Sequence, residues 1–215
     1  GQRLGLLTTG AGFAALAGVS ARCVEGERGL LEAEQVRAAI RPEGGRSHFP
    51  ITRVICLENS ANRGGGTVYS VERTEAIAQV ARSHGLALHL DGARIFNAAV
   101  ALGVSVKELC EPFDTIAYCL SKGLGCPVGS LIVGTRTFID RAHRFRKMYG
   151  GGMRQAGVLA AAGLHALEHH VERLADDHLR AQRLARSIAE LPGIEVDLAG
   201  VETNMVYADV AGTGL

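Results

Sequence analysis

Three short stretches of the chain carry side chains that could do chemistry, and each follows a run of apolar residues. Asp91 stands in LHLDGAR (residues 88–94). A carboxylate directly after an apolar strand is costly to desolvate unless a cation faces it. Asp is also a good helix N-cap, and the segment from Ala93 has helical character. Lys122 stands in SKGLG (residues 121–125). A lysine at a strand terminus with glycines behind it can be held in a desolvated site, where its pKa falls and it forms Schiff bases. It can equally be a surface lysine in a tight turn. The third stretch is ENSANRGGG (residues 58–66). Glycine-rich loops after strands can cradle phosphates, but this one has neither GxGxxG spacing nor a following Lys-Ser/Thr.

Together the three say more than each alone. A carboxylate and a lysine on successive strand ends suit pyridoxal 5'-phosphate (PLP), which needs a lysine for its aldehyde and an acid facing its ring nitrogen. That acid keeps the nitrogen protonated, so the ring can accept electrons from a bond breaking at an amino acid's Cα. Arg94, shortly after Asp91, could bind a substrate carboxylate with its planar fork.

The elements that must position these residues alternate between two periods. Residues 53–57, 86–90 and 115–120 read as strands, and residues 128–133 as a strand antiparallel to its neighbour, since only a short turn separates them. Helices are expected at 71–84, with Ile77, Val80 and Ala81 on one face, and at 93–102. Strands alternating with helices indicate crossovers and a mostly parallel sheet. Residues 137–148, 154–170 and 172–191 read as helices, closed by Pro192-Gly193. Strands are expected at 194–198 and 203–210. Before residue 53, helices are expected at 11–18 and 32–40 and a strand at 19–24. The organisation expected is an α/β large domain over residues 1–191 and the start of a small α+β domain over 192–215.

Composition narrows the function classes. With 215 residues, 47% hydrophobic, 21% charged and a formal net charge of +1, the chain has material for a core. It has no charge excess for nucleic acid or an anionic membrane, and no apolar run long enough to span one. Its five cysteines form no CxxC pair, which favours reduced thiols and a cytoplasmic location. Cys119 and Cys126, flanking the lysine, read as packing residues. His169 and His170 are adjacent and so point apart, which suggests a solvated helix face. His165 and His169 could share a face, but nothing is spaced to complete a metal site. The basic run 141–147 reads as a helix face or subunit contact.

Three longer motifs, LHLDGARIFNAAVALGV (88–104), CLSKGLGCPVGSLIVG (119–134) and RKMYGGGMRQAGVLAAAG (146–163), resemble the low-specificity L-threonine aldolases. LENSANRGGG (57–66) and ETNMV (202–206) match family segments too. The resemblance implies an aspartate-aminotransferase-like (fold type I) three-layer α/β/α large domain. It implies a PLP-dependent lyase that cleaves β-hydroxy-α-amino acids to glycine and an aldehyde. It places the cofactor on Lys122, its ring nitrogen against Asp91, and the substrate carboxylate and nearby cofactor groups against Arg94. Glu58, Asn62, Ser121 and Arg154 fall near the site, and Asn204 lies in a family segment of unassigned contact. The family is typically tetrameric, with active sites near subunit interfaces, so a homo-oligomer is implied.

The chain departs from the family at several points. The family reads Glu-Asn-Thr-His-Asn where this chain has Glu58-Asn59-Ser60-Ala61-Asn62. A second family histidine, which stacks on the cofactor, aligns with Gly5. Its phosphate-binding Ser-Gly-Thr segment would lie upstream, and a further arginine downstream, so the chain is expected to be the middle of a longer protein. A base for the β-hydroxyl would then be a water, the cofactor phosphate or a residue outside this segment. The same lysine and aspartate also serve β-eliminating lyases and aminotransferases. A catalytically impaired homologue that acts only in subunit assembly is the remaining alternative.

Overall fold

The computed structural model describes residues 12–41 and 48–214. Gly5, and the start of the helix expected from residue 11, lie outside the described residues. Its centre is a sheet of four strands in the order β1-β2-β3-β4: Val54–Glu58, Ala87–Asp91, Thr115–Cys119 and Ser130–Gly134. The first three are parallel and β4 runs antiparallel to β3, as the short connection requires.

Each parallel step needs a crossover. Helix α3 (Val71–Ser83) links β1 to β2, and α4 (Ile95–Leu102) with α5 (Val106–Cys110) links β2 to β3. Crossovers of one hand that add strands in one direction deliver their helices to one face of the sheet. Ile55, Leu57 and Leu88 accordingly pack with Ile77, Val80 and Ala81 of α3, together with Val36 of α2 (Ala33–Ala39). Leu90 packs with Ile95, Ala98 and Leu109 beneath Ile116 and Tyr118. The opposite face alternates with these positions. Cys56 and Asp91 on it are exposed, and His89, Thr115 and Ala117 half-buried.

The helical half follows as α6 (Arg136–Met148), α7 (Gly157–His169) and α8 (Leu174–Ala189), with α8 packed on α4. α1 (Gly12–Ala17) precedes α2. Ser70 caps α3 by accepting from the Arg73 N–H, and Ser105 and Thr135 do the same for α5 and α6.

Three expected strands do not form. Residues 19–24 run as irregular chain with no ladder partner. Residues 194–198 and 203–210 meet only in one antiparallel bridge, Glu195 to Asp209. Side chains at the end of this segment bond to the glycine loop instead. Glu202 accepts from the Val68 N–H at 3.0 Å, Thr203 Oγ1 donates to the Gly66 carbonyl at 2.9 Å, and the Tyr207 hydroxyl donates to the Asn62 carbonyl at 3.0 Å. Arg28 completes the clasp. Its guanidinium donates to the carbonyls of Gly64 and Gly200 and pairs with Glu202 at 3.3 Å. Gly66, with φ +82°, leaves room for Thr203, whose Oγ1 would lie 2.2 Å from a Cβ at that position.

Tyr69 ties the N-terminal segment to the same loop. Its hydroxyl accepts from the Leu31 N–H at 2.7 Å and donates to the Gly29 carbonyl at 3.3 Å, and burial pushes its pKa up to about 12. Removing the hydroxyl strands a buried N–H. Tyr69→Phe in the full-length protein should therefore lower unfolding stability by about 1–3 kcal/mol in urea titration, whereas an unchanged midpoint would show that the bond carries no net stability.

Candidate active site

In a parallel sheet the chemistry gathers beyond the carboxyl ends of the strands. Glu58 and Asp91 end β1 and β2 as register partners, and Asp91 faces Ala117 of β3 on its other side. Their backbones continue the ladder past the strands. The Asn59 N–H donates to the Asp91 carbonyl at 3.0 Å, and the Gly92 N–H to the Ala117 carbonyl at 2.7 Å. The lysine turn leaves β3 at the same end, so the ends of three strands face one region.

Asp91 itself does half of what a cap would do. Its Oδ1 accepts from the Ala93 N–H at 3.1 Å, closing a turn rather than the helix, whose N-cap position is Arg94. The side chain is exposed. Arg94 is half-buried one residue before α4 begins.

Electrostatics binds these groups into one neighbourhood. The Glu58 pKa is raised above its ordinary value, first by burial and then by the Asp91 charge. The backbone at Asn62 acts in the opposite direction, as do Arg94 and Lys122. One carboxylate and two cations, from two further stretches of chain, therefore bear on Glu58. His89 and Cys56, on the same face of the sheet, also feel Asp91. Burial lowers the His89 pKa against the pull of Asp91, whereas the Cys56 pKa is raised by the chain crowded around the thiol, although its surface is open, and the Asp91 charge adds to that.

Lys122 is exposed, not desolvated as its strand-end position suggests, because the sheet face beside it is uncovered among the described residues. Its turn is nevertheless fixed. Leu120 and Leu124 are buried, the Cys126 N–H donates to the Leu120 carbonyl at 3.1 Å, and the Gly125 N–H to the Lys122 carbonyl at 2.9 Å. Gly125 has φ +75°, the left-handed conformation that a glycine adopts without strain. Ser121 is exposed at the start of this turn. Arg154 is exposed between α6 and α7, and it is not among the charges acting on Glu58.

One position corrects the sequence reading, and Ala61 gains a packing context. His170, expected on a solvated helix face, is half-buried at the end of α7, and its Nδ1 meets the Leu124 carbonyl at 2.7 Å. Helical periodicity misses it because the contact is made by the cap residue, beyond the last full turn. Ala61 is 2% exposed, and its methyl group would stand 3.0 Å from a Cβ on Gly29. The side chain at this position thus points into packed chain. Ser60 Oγ and Asn204 Oδ1 are the buried side-chain oxygens without a hydrogen-bond partner among the described residues.

Comparison with known proteins places the chain. The family model described as β-eliminating lyase matches residues 5–211. The chain is 48% identical over 200 residues to low-specificity L-threonine aldolase 1 of Arabidopsis thaliana, covering 93% of this chain and 56% of that protein. It is 46% identical over 182 residues to the low specificity L-threonine aldolase of Escherichia coli (strain K12), covering 85% of this chain and 52% of that one. It therefore spans about half the length of the curated relatives it matches. A crystal structure from Exiguobacterium sp. 255-15, titled as a putative aromatic amino acid β-eliminating lyase/threonine aldolase, superposes with a TM-score of 0.82 at 24% identity. That match covers 95% of this chain and 55% of the other, and it establishes the fold type I α/β architecture.

The charge arrangement has a consequence for stability. A carboxyl whose pKa is higher in the folded state than in the unfolded one binds its proton more tightly when folded, so its contribution is lost as pH rises through that window. Glu58 is such a group. In the cofactor-free full-length protein, Glu58→Gln should raise the thermal midpoint near pH 7, and the gain should vanish as pH falls to about 4, where the wild-type carboxyl is protonated too. A difference that is constant across that range would contradict the assignment.

Proposed function

The chain belongs to the β-eliminating lyase family, and from that premise we propose that the full-length protein is a PLP-dependent aldolase. It would cleave L-threonine-like and L-allo-threonine-like β-hydroxy-α-amino acids to glycine and an aldehyde. The observation that carries this reading is the placing of Asp91 and the Lys122 turn at the carboxyl ends of adjacent parallel strands, with Glu58 as the register partner of Asp91 and Arg94 at the start of α4. The names of the Arabidopsis and Escherichia coli relatives support the choice of reaction.

The residues present fit the cofactor. Asp91 has one oxygen engaged by the Ala93 N–H, so its other oxygen is free to accept from a ring N–H. Lys122 projects an exposed amine from a fixed turn on the same side. When bound, PLP supplies an electron sink for the charge that develops at an amino acid's Cα as a bond to it breaks.

The chain's own residues do the remaining work. Asp91 holds the proton on the ring nitrogen, because its negative charge favours the protonated form. Lys122 provides the amine that carries the cofactor. Arg94 receives the substrate carboxylate through its planar fork, which fixes the orientation of Cα. Glu58 stands beside this group and balances the two cations. Ser121 and Arg154 complete the proposed surroundings, Ser121 from the lysine turn and Arg154 from the segment after α6. Residues 1–191 form the proposed PLP-binding domain and residues 192–215 the start of the small one.

The assembly is read as a homo-oligomer, dimer or tetramer. Leu131, Ile132 and Val133 of β4, together with Phe145, Met148 and Tyr149 around the end of α6, are each more than 40% exposed, an apolar surface of the kind that subunits cover. All five cysteines are free, which supports a reducing, cytoplasmic setting. Among the described residues no helix is long and apolar enough to cross a membrane.

Product analysis on the full-length protein tests the reaction. With L-threonine and PLP it should yield glycine and acetaldehyde. Lys122→Ala should abolish turnover, and Asp91→Asn should slow it by about 10²–10³-fold. Ammonia and a keto acid as the products would instead make the protein a β-eliminating enzyme on the same site.

A further inference from the structure

Below the lysine turn lies a buried polar pair that the reaction does not use. Asn97 of α4 is 2% exposed and His178 of α8 is 7% exposed, and the Asn97 Nδ2 meets the His178 Nε2 at 3.1 Å. Polar side chains buried between two helices cost desolvation that an apolar pair of the same size avoids. Each meets the other, but packing α4 on α8 does not call for such a pair.

What the pair adds is direction. An amide nitrogen donates, so His178 accepts at Nε2 and carries its proton on Nδ1. Burial lowers the His178 pKa and thereby favours this neutral form, with the adjacent Asp177 pulling the other way. With its nitrogen held by His178, the Asn97 amide must turn its oxygen the opposite way, toward the lysine turn. That oxygen would lie 3.0 Å from a Cβ placed on Gly123, and Leu174 Cδ2 would lie 2.8 Å from it. Gly123 therefore rests directly on the amide and on α8, with no room for a side chain. Lys122 is the preceding residue. On the other side of Gly123, the Leu124 carbonyl is held by His170 at 2.7 Å.

We propose that Asn97 and His178 are positioning residues for Lys122, acting through Gly123: His178 orients the Asn97 amide, and the amide seats the turn that presents the lysine amine. The inference rests on the reading of Lys122 as the cofactor lysine. It predicts that the acceptor at position 178 matters, and not merely the bulk. His178→Gln keeps an oxygen that can accept from Asn97, whereas His178→Leu fills similar space without one.

The test uses the full-length protein. The readouts are the PLP concentration giving half-maximal attachment at Lys122, followed by absorbance and by borohydride trapping, and the split between kcat and KM. His178→Leu should raise that concentration about tenfold, the scale expected when a buried amide donor loses its partner, and should lower kcat more than it changes KM. His178→Gln should stay within about twofold of wild type, its amide restoring the bond. If His178→Leu does not fold, Gly123→Ala gives the same reading, since it leaves the pair intact and pushes the turn off its seat. Leucine and glutamine variants that behave alike, or a Gly123→Ala protein that attaches PLP as wild type does, would overturn the proposal. Wild-type protein that attaches no PLP at Lys122 would overturn the functional reading itself, and the two failures are thereby distinct.

Discussion

Glu58 and Asp91 are register partners at the ends of adjacent parallel strands, and two carboxylates in such positions repel unless cations meet them. Neither strand can supply the cations. They come from the residues that follow β2 and β3: Arg94 at the N-cap of α4, and Lys122 in the turn before β4. The parallel register is thus the constraint on which the site depends. A slip of one residue in β1 or β2 would send its carboxylate to the opposite face, among the leucines that pack on the crossover helices.

The loops that leave these strands are held from outside the sheet. Residues 59–68 are clasped by Arg28 from the N-terminal segment and by Glu202, Thr203 and Tyr207 from the C-terminal one. The lysine turn is held by α4, α7 and α8 from below. The backbone behind the candidate site is therefore fixed, with the side chains of Asp91 and Lys122 exposed and those of Glu58 and Arg94 half-buried. This is the arrangement a site needs if it is to admit a ligand without losing its geometry.

Much of this was legible in the sequence because the signals are local. The apolar runs at residues 53–57, 86–90 and 115–120 lie within a residue or two of β1–β3, and Gly85 marks the end of α3. Asp91, Arg94 and Lys122 are candidates by their places after such runs, and in the fold the charges of all three bear on Glu58. Long-range partners were not legible. Residues 203–210 have strand-like composition, but the side chains of Glu202, Thr203 and Tyr207 bond to the glycine loop, which comes beside them only in the fold. The short helix α5 was missed because five residues give too little periodicity. His170 was misread because its partner is a carbonyl brought near only by the packing of α7.

The central claim is that Lys122 is the amine on which the cofactor is carried. Incubating the full-length protein with PLP, reducing with borohydride and mapping the pyridoxyl group by mass spectrometry tests it most directly. The account predicts selective labelling of the peptide that contains Lys122, lost in Lys122→Ala. Labelling spread over surface lysines, or unchanged by that substitution, would contradict it.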